Sequence, residues 1–262
     1  MLKRALVAVV IALLSVTPAC AADDDIIDPD RPDVTNSANP VAKGRVQLET
    51  GAFYRRTSLA TEPTERRLSW EATLRIGIAD NVEFRIDSEP ILRLRNSADD
   101  TDVGDVSLGL KYRFLAARDD AWWPALALNP FVKLPLSQPP IGSGETDAGL
   151  LLLASFTLPL DFSLDVNAGA VLVGQRHPSG HLVQARTSGS LSHPIVDRLS
   201  AFLELAFVSR DTWDGHNALG LQTGVVWKVA RDVALDTAVG TSLFGQLPDF
   251  GVRAGLSVRF GR

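Results

Sequence analysis

Between residues 67 and 87 the chain sets ionisable side chains at every fourth and then every second position. They are Arg67, Glu71 and Arg75, followed by Glu83, Arg85 and Asp87. Further along, Glu49, Asp105, Lys111, Arg113, Asp165, Arg186, Glu204, Asp236, Arg253 and Arg259 alternate with apolar neighbours in the same way. Such spacing puts each set on one face of an extended strand. Acids and bases mixed on one surface have two uses. They can build a transverse field that orients a passing polar solute, or they can pair across strands and fill the space between them. The residues leave both readings open. A strong anion filter needs a one-sided excess of Lys and Arg, which this set lacks.

Other reactive groups are less well arranged. Asp99, Asp100, Asp102 and Asp105 carry the oxygen ligands that Ca²⁺ takes, but their spacing does not fit an EF-hand, and they read as a solvated acidic turn. His177 and His181 form a His-x-x-x-His pair in a loop, without a third zinc ligand. His193 and His216 stand alone. The stretch GSGE at 142–145 lacks the Lys-Ser/Thr of a phosphate loop, and no Gly-x-Ser-x-Gly elbow occurs. No catalytic residue, metal site or cofactor is expected.

The elements that carry the charged rows are strands. Ten segments alternate clearly, with apolar rows at 46–54, 68–78, 82–86, 106–114, 162–172, 183–191, 199–207, 219–227, 233–243 and 254–260. Two vaguer ones lie near 124–134 and 148–158. In the clear segments no Asp, Glu, Lys or Arg falls on the apolar face, and no segment sustains a 3.6-residue period. A soluble sandwich would turn the apolar face to its core, and a membrane barrel would turn it to lipid. The connections favour the barrel. Those at 79–81, 158–161, 193–197 and 229–231 are tight, those at 56–66, 95–104 and 135–147 are long, and the link at 115–122 is longer than the tight class. Aromatics also gather at strand ends, with Tyr54, Trp70 and Phe207 toward the long loops, and Phe84, Tyr112, Phe114, Phe162, Trp227 and Phe260 toward the short turns. The expectation is an all-β fold, a closed antiparallel transmembrane β-barrel of about 12 strands over 45–262, with an irregular N-terminal leader.

The rest of the chain agrees with that destination. Lys3 and Arg4 precede an apolar run at 5–16 and a small-residue site at Ala19-Cys20-Ala21, the pattern of a cleaved signal peptide over 1–21. The run is too short to span a bilayer. Cys20 is the only cysteine, so the exported chain has no disulfide framework; its alternative role as a lipid-anchor site fits Thr17-Pro18-Ala19 poorly. A net charge of −5 argues against a nucleic-acid partner. Residues 22–44 are rich in Asp, Pro and Asn and read as a periplasmic leader or a plug. As a plug its charges are Asp30, Arg31 and Asp33, and Arg31 would pair with a lumen acid such as Glu49 or Glu71. As a tail it would be disordered.

Two resemblances sharpen the expectation. Arg253, Gly255, Val258 and Phe260 resemble the C-terminal signal read by the outer-membrane barrel-assembly machinery, although Gly261 and Arg262 follow the aromatic. The stretches DRPD (30–33), KGRVQLETG (43–51), GDVSLGLKYRF (104–114) and KLPL (133–136), in that order, resemble the phenol MetA-degradation-pathway family of outer-membrane proteins. That resemblance implies a bacterial outer-membrane, porin-like transporter in contact with lipid, passing small and often aromatic or apolar solutes by passive diffusion. The alternatives are a structural or adhesin-like barrel with a filled lumen and a soluble periplasmic protein. Outer-membrane phospholipases are similar in size but carry His-x-Ser-Asn-Gly; the nearest stretch here, HPSGH at 177–181, lacks the Asn and lies in a loop.

Overall fold

A computed structural model describes residues 26–58, 63–118 and 123–261; the expected signal segment and Cys20 lie outside them. In chain order the strands are β1 (Val46–Thr57), β2 (Glu65–Ala79), β3 (Val82–Arg95), β4 (Asp99–Asp102), β5 (Val106–Leu115), β6 (Ala125–Leu134), β7 (Asp147–Thr157), β8 (Ser163–Arg176), β9 (Ser179–Val196), β10 (Leu199–Val208), β11 (Ala218–Ala230), β12 (Val233–Phe244) and β13 (Phe250–Phe260). Every pairing is antiparallel, and β13 returns to β1 in unbroken register from Val46 opposite Phe260 to Arg56 opposite Phe250. Twelve strands therefore close a barrel. β4 is an addition paired with the end of β3. Closure leaves no strand edge along the wall, which hydrocarbon would penalise by on the order of several kcal/mol per orphaned amide.

The two faces settle which side is apolar. Leu68, Trp70, Leu150, Leu152, Leu203, Leu205 and Trp227 stand exposed on the outside, while Glu49, Arg75, Glu83, Lys111 and Glu204 are buried inside. A soluble sandwich would show the reverse. The two vague segments are β6 and β7. Their alternation blurs because Ala125, Ala127, Leu151 and Leu153 face inward and pack around Ala38 of the leader.

Several local expectations are corrected. The loop at 95–104 contains β4, so the acidic residues Asp99, Asp100 and Asp102 stand in a short strand and not in a turn; Asp99 remains solvent-exposed and pairs there with Arg93. β3 runs to Arg95 through a bulge, in which Trp70 of β2 faces Ile91 and Ala72 faces Ser88. Glu89 and Pro90 stand opposite Glu71 alone, and this one extra residue inverts the strand's phase at a point where Pro90 has no N–H to give the ladder. Leu92 and Leu94 consequently point inward, where Ile141 covers them. His181 lies in β9 and not in a loop; only His177 and Pro178 turn between β8 and β9. The tight connections fall slightly later than expected, at Asp197-Arg198 and Arg231-Asp232, so His193 is also within β9.

Candidate functional site: the lumen and its leader

Of the sixteen charged residues singled out in the sequence, Glu49, Arg75, Glu83, Arg85, Lys111, Glu204, Asp236 and Arg259 are buried within the barrel and the other eight are half-buried. What they meet there is chiefly the leader. It enters at the short-turn end, where Ile27 N donates to Arg231 O at 2.8 Å and Asp28 lies 3.2 Å from Lys228. It then crosses the interior before joining β1 beside Gly77.

Asp30 sits among three cations. Its carboxylate accepts from Lys111 Nζ at 3.0 Å, lies 3.5 Å from Arg75 and also pairs with Arg85. Glu49 and Glu83 balance that cluster: Arg75 binds Glu49 and Glu83 at 2.8 Å each. Burial opposes the charge on Asp30, yet Arg75, Lys111 and Arg85 hold its pKa well below the ordinary carboxylate range.

Arg31 makes the next crossing. Its backbone N–H donates to Glu49 at 3.0 Å, and its guanidinium reaches Glu71 at 2.8 Å and Asp236 at 3.3 Å. Burial works against the Arg31 charge as well, and Asp236 and Glu71 outweigh it and raise the pKa. Two glycines facing each other across the β1–β13 seam, Gly51 and Gly255, make room for this group. A Cβ at Gly255 would lie 2.6 Å from Arg31 Nε, so no larger residue fits while Arg31 is in place. The Pro32 carbonyl then accepts from Arg253 at 2.8 Å and from Gln222 at 3.0 Å.

Further along, Glu204 of β10 accepts the Val34 N–H at 2.9 Å, and the Thr35 N–H and hydroxyl at 2.6 Å each. Asn36 and Asn167 exchange two hydrogen bonds, Ser155 receives the Ala38 N–H, and Glu83 receives the Val41 N–H. Asp33 accepts from Ser190. Burial, with Glu204 and Asp165 nearby, pushes the Asp33 carboxyl well above its ordinary value.

The remaining singled-out residues make wall contacts, except Arg113, which reaches Asn39 of the leader. Arg67 pairs with Glu89 at 2.8 Å, Asp87 binds Thr73 and Arg85, and Asp105 lies 3.4 Å from Lys133. Arg113 donates to Asn39 at 3.1 Å, Asp165 accepts from Ser155, and Arg259 lies 2.9 Å from Asp232. Arg186 donates to Gln184. Sequence reasoning passed over Asn167, Gln222, Ser155 and Ser190, since an uncharged polar residue in an alternating strand carries no sign of its partner. It also passed over Phe53, an inward aromatic under the Arg253 guanidinium at 4.1 Å.

Two cavities flank the leader. The larger, about 520 Å³, opens toward the long loops and is walled by Arg67, Glu71, Asp87, Phe131 and Arg186 among others. The smaller, about 250 Å³, lies toward the short turns beside Ser155, Asp165 and Phe202. Asp30, Arg31 and Asp33 are the residues that line both, so the DRPD stretch is the partition between them.

A closed twelve-stranded barrel with apolar rows outside and a charged, partitioned lumen is a barrel of the outer-membrane kind. The chain belongs to the family described as "Putative MetA-pathway of phenol degradation", whose model matches residues 29–260. Its fold is similar to that of the COG4313 outer membrane channel from Pseudomonas putida F1, with a TM-score of 0.69 at 14% identity over 89% of this chain and 100% of that one. The NanC porin (TM-score 0.56, 13% identity, 80% of this chain and 98% of that one) and a KdgM porin crystallised with oligogalacturonate (0.53, 9%, 80% and 98%) share the architecture. No curated protein sequence matches the chain.

Proposed function

We propose that this protein is a channel of the bacterial outer membrane, exported behind a cleaved signal peptide, through which small molecules diffuse down their gradient. Residues 26–44 act as its plug, and the loop carrying Ile141 narrows the outer mouth. The reading is not enzymatic, and it rests on one observation above all. Two cavities lie in series inside a closed barrel, and the partition between them is a leader segment that joins no strand ladder and is held to the wall chiefly through wall side chains. That the structural neighbours are a channel and porins supports a transport role, and the family's description favours phenolic or other small aromatic solutes. The C-terminal strand β13 serves as the signal to the assembly machinery, through Arg253, Gly255, Val258 and Phe260.

Planar-bilayer conductance and liposome swelling test the channel, with the full mature chain compared with a chain lacking residues 26–42. The deletion is expected to raise conductance and solute flux. Unchanged conductance removes the plug. The tight pairing of Arg75, Lys111, Glu49 and Glu83 favours a second reading, a filled structural barrel. Absence of flux even after the deletion would establish it.

A further inference from the structure

The walls of the larger cavity are unlike. On the side of β1, β2, β3 and β13 every lining cation has a carboxylate partner: Arg31 with Glu71, Arg67 with Glu89, Arg85 with Asp30, and Arg253 facing Glu71 at 3.9 Å. On the side of β6 to β9, Lys133 pairs with Asp147 at 2.8 Å. Arg186 is different. Among the described residues it forms no ion pair, and its Nε donates to the neutral amide of Gln184 at 2.7 Å. The carboxylates whose field reaches it are Asp147 and Asp211, and neither comes within ion-pair distance.

An apolar floor leads up to this guanidinium. Phe131 leans over Gly149, where a Cβ would strike its ring edge. Leu151 leans over Gly169, and its Cδ2 is 2.9 Å from where a Cβ would stand. Gly169 is the ladder partner of both Leu151 and Arg186. Phe131, Leu151 and Arg186 thus succeed one another around the wall, and all three line the cavity. Leu151 and Arg186 sit two strands apart, about 10 Å at the usual strand spacing. A ring-sized apolar body fits on that floor with an anionic head at the guanidinium, and planar forked donors suit a carboxylate.

We propose that the larger cavity holds a binding site for small organic monoanions with an apolar body, of which an aromatic carboxylate is the type. Arg186 receives the carboxylate, and Phe131 and Leu151 carry the ring. The inference rests on the channel reading for access from the long-loop end, but the site itself is defined by binding and not by flux.

Equilibrium binding of radiolabelled benzoate to the detergent-solubilised full mature chain tests it, with benzamide and acetate as competitors. Benzoate is expected to bind saturably; benzamide, which keeps the ring and loses the charge, and acetate, which keeps the charge and loses the ring, should compete at least tenfold less well. Arg186→Gln should lower benzoate affinity at least tenfold, Arg186→Lys should restore part of it, and Phe131→Ala should weaken benzoate without affecting acetate. Saturable binding with no liposome flux would remove the channel and keep the site. No saturable benzoate binding by the wild-type chain, equal competition by benzamide or acetate, or an undiminished Arg186→Gln affinity overturns the proposal. The competitor comparison needs no variant, so a misfolded substitution leaves the test decisive.

Discussion

Replacing Arg31 with alanine probes whether the leader is held by charge. In the docked leader Arg31 faces two acids, Glu71 at 2.8 Å and Asp236 at 3.3 Å. The Asp236 side chain is only 1% exposed, whereas Glu71 is 24% exposed and retains access to water. Removing one partner of a buried pair costs about 3–5 kcal/mol, because the other charge stays desolvated. Solvent screening at Glu71 discounts its share, so the lower end, about 3 kcal/mol, applies. The barrel wall is held by its own ladders, and undocking lets water reach Asp236. The penalty therefore falls on the docked state. Each 1.4 kcal/mol is a factor of ten, so Arg31→Ala shifts the undocked-to-docked ratio by roughly a hundredfold. Single-channel recording should show higher mean conductance or longer open dwells. Asp236→Asn added to Arg31→Ala should reverse much of the change, since the stranded charge is gone. Wild-type traces from an Arg31→Ala barrel that keeps its heat-modifiable gel mobility would refute the reasoning. So would a double variant no different from the single one.

Three further expectations use other features. Asp33 binds its proton more tightly docked than free, so its own contribution to docking is fully present below the ordinary carboxylate pKa, near 3.9, and is lost as pH rises from there through the raised docked value. Conductance should rise across that window in the wild type and lose this slope in Asp33→Asn; the facing groups are Glu204, Asp165, Asp30 and Ser190. Gly255→Val puts side-chain atoms where Arg31 lies and should open the channel as Arg31→Ala does without changing any charge, as read by the same recordings. Leu152→Arg places a cation at the middle of β7 on the lipid face and should cost about 2–4 kcal/mol in urea titrations of folding into vesicles.

The barrel was legible because the apolar rows of ten segments carry no Asp, Glu, Lys or Arg. The blurred β6 and β7 show why the rest was harder. Ala125, Ala127, Leu151 and Leu153 face inward because a leader residue, Ala38, packs on them, and a strand read alone cannot announce that neighbour. The phase flip in β3 had a sequence mark in Pro90, but only pairing with β2 shows that Leu92 and Leu94 turn inward. At the candidate site, Arg31 was readable as a leader cation seeking Glu49 or Glu71. Its seat was not. Gly51 and Gly255 are 204 positions apart and meet only when the last strand closes on the first.

The chemistry of the leader's contacts bears on how such a plug can be released. Its apolar anchoring is slight, chiefly Ala38 against Ala125, Ala127, Leu151 and Leu153, and the buried Ile27 and Val41. Most of its attachment is ionic or hydrogen-bonded: Asp30 to three cations, Arg31 to two acids, and the 34–35 backbone to Glu204. Buried ion pairs contribute little net stability, since desolvation offsets most of their attraction. An apolar plug of the same size would leave a greasy surface in water whenever it withdrew, and it would resist leaving in proportion to the area exposed. A charged plug leaves behind two charged surfaces that water solvates well. The groups that make the partition specific when docked are thus the ones that keep its removal inexpensive. Because both surfaces carry mixed charge, added salt screens them once exposed. Plug withdrawal should therefore become more frequent as ionic strength rises, beyond the proportional increase in ion current.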